Sequence, residues 1–167
     1  DVVIENYKAG SLEKYGLDYA SLNQLNPNLV YCSITGFGQT GPRAEEPGYD
    51  FIIQGMSGLM SITGEKDESP GGGAQKVGVA VVDIQTGLYA TVAIQAALLA
   101  RQHTGCGQYI DLSLLDVQVA TLANQGMNYL TSGIAPKRMG NNHPNIVPYQ
   151  TFKAKDKEFI IACGNDK

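Results

Sequence analysis

Apolar positions along this chain fall into short β-branched runs separated by stretches of helical spacing. Val2, Val3 and Ile4 read as the end of a buried strand, and the turn at Ala9 and Gly10 leads into a short helix that Ser11 is expected to cap. Asp18 is placed to cap a second short helix reaching Leu25. Asn26, Pro27 and Asn28 then break the pattern, and residues 29–34 form the next strand. The sum is a β-α-β unit, as in a doubly wound sheet. A polar, glycine-rich loop at 36–42 delivers a helix over 49–62, on the spacing of Phe51, Ile52, Met56, Leu59 and Met60. Residues 64–75 are charged and triply glycyl, the composition of a mobile surface loop. An apolar run at 77–82 ends in Asp83. From there Leu88, Val92, Ile94, Leu98 and Leu99 mark an alanine-rich helix over 83–102, closed by His103, Thr104 and Gly105. A strand at 109–112 and a helix over 114–130, ended by Thr131, Ser132 and Gly133, continue the alternation.

Beyond this point the pattern changes. Residues 134–147 lack periodicity and carry Pro136, Pro144 and three asparagines, which marks a connector. Two strand-like runs, 149–154 and 158–163, face each other across Lys155, Asp156 and Lys157 as a hairpin. The expected architecture is therefore α/β. Residues 1–130 form part of a doubly wound, Rossmann-like large domain, 131–147 a linker, and 148–167 the first hairpin of a small α+β domain. Because the chain opens in mid-element and its last hairpin stops before it has a core, it reads as an internal piece of a longer protein, with any targeting signal outside it.

Composition narrows the partners. With 43% hydrophobic and 17% charged residues the chain can bury one ordinary core. A net charge of −4 supplies no basic face for nucleic acid, and no apolar run approaches the ~18 residues of a membrane span, so neither partner is expected. Cys32, Cys106 and Cys163 are odd in number and widely spaced, which suits reduced thiols in a cytoplasmic protein and implies neither a disulfide framework nor a metal site.

Few residues suggest chemistry. His103 sits at a helix C-terminus, where a cation complements the dipole, and His143 lies in the connector, where turn packing explains it. The run Gly71 to Gly73 lacks the Lys and Ser/Thr of a phosphate loop. No serine or cysteine has an obvious base. Asp83 ends an apolar run and opens a helix, with Thr86 and Gly87 expected to supply backbone amides to its carboxylate. By position alone it would be a plain N-cap.

A set of collinear motifs adds to this. Glu5-Asn6-Tyr7 with Gly10, Ser33 to Gly38 with Gly41-Pro42, Gly48-Tyr49-Asp50, Gly58 to Met60 with Thr63-Gly64, Asp83 with Thr86-Gly87, and Thr104-Gly105 with Gly107-Gln108 together resemble the class III CoA transferases, the family of formyl-CoA and carnitine CoA transferases. Several stretches are similar to succinyl-CoA:glutarate-type members, and Asn145 to Tyr149 resembles the family's passage into its small domain. The resemblance implies that Asp83 is the catalytic aspartate, forming first a mixed anhydride and then an aspartyl-CoA thioester. It implies that Asn6, Tyr7, Lys14 and Tyr15 line the CoA cleft, with Lys14 a partner for a CoA phosphate, and that Gly48 and Tyr49 lie over the thioester, with Asp50 following as a polar contact. Its implied partners are acyl-CoA and a small carboxylic acid as substrates, no tightly bound cofactor, and a second copy of the full-length chain in an interlocked homodimer. The family's glycine-rich flap belongs to the small domain outside this stretch, so the fragment alone is expected to be inactive. Related α-methylacyl-CoA racemases carry a histidine where Tyr49 stands. Phenols ionise near ~10 and make poor bases at neutral pH, which favours transfer over racemisation. A nonenzymatic nucleotide-binding module is the remaining alternative, against which Asp83 itself argues.

Overall fold

The computed structural model describes residues 1–165. In chain order the elements are β1 (Val2–Glu5), a 3-10 turn (Glu13–Tyr15), α1 (Tyr19–Leu25), β2 (Val30–Thr35), α2 (Asp50–Met56), α3 (Leu59–Ile62), α4 (Val81–Thr104), β3 (Tyr109–Ser113), α5 (Leu114–Ala120), α6 (Ala123–Ser132), β4 (Tyr149–Lys153) and β5 (Glu158–Ala162). They belong to two units, one of Asp1–Ser57 with Gly78–Thr121, the other of Gly58–Val77 with the chain from Leu122 onward.

The first unit is built on a parallel sheet of order β1-β2-β3, in which Val2 pairs with Val30 and Tyr31 with Tyr109. Parallel sheets need both faces covered, and the middle strand meets this: Val30, Tyr31, Cys32 and Ser33 are all buried. The arrangement is thus α/β with a parallel sheet, as expected. The reversal of strand order that defines a doubly wound sheet is not among the described residues, whose strand order follows the chain. One face of the sheet is polar: Ser33 Oγ meets Glu5, Gln39 Nε2 donates to Ser33 Oγ at 2.6 Å, and the Gln39 N–H donates to Asp111 Oδ2 at 3.0 Å. These bonds pin the 36–42 loop to the sheet. Tyr19, Tyr31 and Tyr109 cluster beside them, with the Tyr19 and Tyr109 rings stacked at 4.9 Å. Burial, then the Glu5 charge, push the Tyr31 phenol up to about 12. Burial likewise pushes the Cys32 thiol up, which keeps it inert. On the other side Ile53 of α2, Val82 of α4 and Leu114 of α5 form the core, with Ile34, Phe37, Val81 and Leu115 packed against them.

Several expected boundaries move. Ser11 makes no cap: the first turn is 3-10 and begins after Leu12. The helix over 49–62 is two helices, because Gly58 adopts φ +91° and no helix continues through a left-handed residue. The helix over 114–130 also breaks: the Thr121 hydroxyl donates within range of both the Gln118 carbonyl and Gln85 Oε1, and Ala123 turns to φ +49°. Helix α4 starts two residues before Asp83, at Val81. It runs 24 residues and is, among the described residues, one helix long and apolar enough to cross a membrane by length and composition. That corrects the expectation that no stretch approaches this; Gln and Thr interrupt its apolar runs, but its alanines and branched aliphatics outweigh them over a window.

In the second unit, Arg138 donates to the Ser61 carbonyl at 3.2 Å and pairs with Asp67, and the Gly140 N–H donates to the Gly64 carbonyl at 3.1 Å. The glycyl loop is thereby tied down. His143 Nδ1 accepts the N–H groups of Asn145 and Ile146 at 3.0 Å each, the turn role expected of it. Strands β4 and β5 form the expected antiparallel hairpin, with the Phe152 and Phe159 rings stacked at 5.9 Å.

Candidate active site

Main-chain geometry sets the site. Gly36, just after β2, and Gly48, just before α2, cross so closely that a Cβ on either would collide with the backbone of the other. This contact delivers Tyr49 and Asp50 to the C-terminal end of the sheet, where ligands of open α/β sheets bind. Tyr49 takes the N-cap position of α2 without capping it and leaves its ring exposed. From the end of β1, Asn6 Nδ2 donates to the Ile34 carbonyl at 2.6 Å, and the Tyr7 N–H donates to Glu5 Oε2 at 2.7 Å. Side chain and backbone hydrogen bonds thus fix the first loop over the strand ends.

Asp83 sits in the first turn of α4, directly after the fully buried Val82. It is not the plain N-cap that its position alone would make it: the capping carboxylate is that of Asp50, whose Oδ1 accepts the Val82 N–H at 2.8 Å. Thr86 and Gly87 lie past the first four positions and have no free amides to offer. Thr86 is buried and donates its hydroxyl to the Val82 carbonyl at 2.8 Å. Among the described residues the Asp83 carboxylate therefore makes no side-chain hydrogen bond or ion pair. Its residue is exposed by area, yet neighbouring protein displaces enough water from the carboxyl to raise its pKa, and the Asp50 charge raises it further. A helix N-terminus alone would have lowered it.

Asn6, Gly48, Tyr49, Asp50 and Asp83 are brought together around one open-mouthed cavity of about 400 Å³, also walled by Ile34, Thr86, Gly87 and Leu114. Tyr7 joins Asn6, Gly48 and Tyr49 around a second cavity of about 360 Å³. Tyr7 also shares a third, of about 510 Å³, with Lys14 and Tyr15. Lys14 and Tyr15 are not at the Asp83 cavity; they reach it only through this series of shared walls, with Lys14 Nζ 4.9 Å from the centre of the Tyr15 ring. Among the described residues no group of three His, Cys, Asp or Glu side chains is placed to hold a metal ion. The residue missed in the sequence is Gln54, fully buried, whose Nε2 donates to Asp50 Oδ2 at 2.6 Å. Its signal was available, since a Gln four residues after an Asp forms a favourable helical pair.

Such a set can present one carboxylate, without a partner among the described residues, to an electrophile held in a partly apolar cavity. Comparison with known proteins bears on which electrophile. A model of CoA-transferase family III matches residues 1–167. The chain is 62% identical, over 99% of its length, to the succinate–glutarate CoA-transferase of Agrobacterium fabrum, and 48% identical, over its whole length, to the mouse succinyl-CoA:glutarate CoA-transferase. It spans only 40% and 37% of those relatives. Among solved structures it superposes on a CAIB/BAIF family protein from Brucella suis with a TM-score of 0.87 and 64% identity, covering 99% of this chain and 43% of that one. The chain belongs to CoA-transferase family III.

Proposed function

We propose that the full-length protein transfers CoA from an acyl-CoA to a free carboxylic acid with Asp83 as the covalent carrier. An Asp83 oxygen attacks the thioester carbon, the C–S bond breaks, and CoA leaves as thiolate with a mixed anhydride in place. The thiolate attacks the aspartyl carbonyl and releases the donor acid, leaving an aspartyl-CoA thioester. The acceptor carboxylate attacks that thioester and frees the thiolate again, which takes the acceptor's acyl carbon and restores Asp83. Thioester is exchanged for thioester, so no proton, electron or external energy source is needed, and exclusion of water matters more than acid strength.

The observation that carries this reading is the placement of Asp83, partner-free, on the cavity it shares with Asn6 and Tyr49. The adjoining cavities walled by Tyr7, Lys14 and Tyr15 supply an elongated path suited to a pantetheine arm, with Lys14 facing a phosphate. Tyr49, in place of a histidine, supports transfer over proton exchange. In the whole protein we assign residues 1–130 to a Rossmann-like, doubly wound CoA-binding domain, 131–147 to the linker and 148–167 to the small domain, in a cytoplasmic homodimer. The names of the relatives point to succinyl-CoA and glutarate as the first donor and acceptor to try. The test is to incubate the full-length protein with succinyl-CoA, quench with hydroxylamine or borohydride, and map the modified residue by mass. Modification of Asp83 and loss of exchange in Asp83→Ala are expected; exchange that survives Asp83→Ala refutes the reading.

A further inference from the structure

Asp50, expected to touch substrate, has both carboxylate oxygens occupied by the protein: Oδ1 by the Val82 N–H and Oδ2 by Gln54 Nε2. Gln54 lies at 0% exposure, beside Ile53 of the core. An interior amide is unfavourable unless it is hydrogen-bonded, and a hydrocarbon would fill the space without that requirement. The contacts run in series, from Gln54 to Asp50, from Asp50 to the first turn of α4, and from buried Val82 to its neighbour Asp83. Resting on the aspartyl reading above, we infer that Gln54 is a positioning residue for CoA transfer, acting through Asp50, which it holds in the rotamer that caps α4 beside Asp83.

Two chemical consequences follow from this arrangement. With Asp50 on the Val82 amide, Asp83 is spared that hydrogen bond, which would have stabilised its carboxylate and weakened it as a nucleophile. Desolvation by the surrounding protein, and then the charge of Asp50 beside it, also make Asp83 more basic than an ordinary aspartate. A more basic carboxylate is the better nucleophile toward the thioester carbon.

The experiment uses the full-length protein with succinyl-CoA and glutarate. In Gln54→Leu, kcat should fall about tenfold to a hundredfold, while KM for succinyl-CoA stays within about twofold and hydroxylamine still marks Asp83. Asp50→Asn keeps an oxygen for the Val82 amide and removes the charge, so the acid limb of its kcat/KM profile should move to lower pH. Wild-type kcat in Gln54→Leu, or an acid limb unmoved in Asp50→Asn, would overturn the inference while Asp83→Ala remains dead. If Gln54→Leu does not fold, the Asp50→Asn profile decides: a downward shift supports the role and no shift removes it. Exchange surviving in Asp83→Ala would instead sink the aspartyl reading and this inference with it.

Discussion

At the start of α1, Asp18 accepts the Ser21 N–H at 3.0 Å and the Ser21 hydroxyl at 2.7 Å, and these bonds hold its carboxyl below the ordinary range. At the start of α4, Asp83 has no such donor among the described residues, the Val82 amide being bonded to Asp50, and its carboxyl is held above the ordinary range by desolvation and the Asp50 charge. The two aspartates lie near equivalent ends of helices and are treated oppositely. What separates them is whether the aspartate itself, or a second acid from elsewhere in the chain, satisfies the free amides. A carboxylate that caps its own helix is a stabilising group, and one displaced from that task is left basic and available.

The most drastic way to test this contrast is to remove each acid and assay CoA transfer in the full-length protein. Asp83→Ala should lower exchange by ~10³-fold or more, whereas Asp18→Ala should leave it near wild type; similar losses in both would erase the distinction. Next in size is Gly48→Ala. Its methyl group meets the backbone of Gly36, so the two segments must part and the frame that carries Asp50 to the Val82 amide shifts; denaturant titration should show a loss of about 2 kcal/mol together with reduced transfer.

Smaller effects come from pH. Asp18 has a lowered folded pKa, so it contributes stability above the ordinary aspartate value near 3.8 and loses it as pH falls through the lowered value. Melting curves of Asp18→Ala and wild type should therefore differ at neutral pH and converge in strong acid. Asp83 has the opposite sign. Its folded pKa is raised, so its ionisation disfavours the fold increasingly as pH rises from 3.8 through the raised value, and it has no such effect below. Asp83→Asn should melt higher than wild type at pH 7, by less than about 1 kcal/mol since solvent screens the site, and the gain should vanish near pH 3. A destabilised Asp83→Asn at neutral pH would contradict the assignment of these two environments.

Much of the frame was legible because its signals are local. Asp18 before α1, the β-branched run of β1, Gly105 after α4 and the hairpin around Lys155 to Lys157 each depend on a few neighbouring residues. The helix breaks were not legible: Leu59 and Met60 stay in phase with α2, and only the φ of Gly58 reveals the interruption. The positions grouped around Asp83 came from the collinear motifs, and Asn6, Gly48, Tyr49 and Asp50 do share its cavity. The role of Asp50 was hidden, because its bond to Val82 spans 32 positions and no spacing rule connects them. For the same reason the raised pKa of Asp83 could not be read from its place at a helix start.

The crossing of Gly36 and Gly48 bears on how the cavity beside Asp83 could be redesigned. The floor beneath Tyr49 is welded main chain to main chain, so side chains around it can change without releasing the weld. Tyr49 and Leu114 are therefore walls of the Asp83 cavity that can be varied on an intact frame, and libraries that keep both glycines should yield folded proteins far more often than libraries that do not.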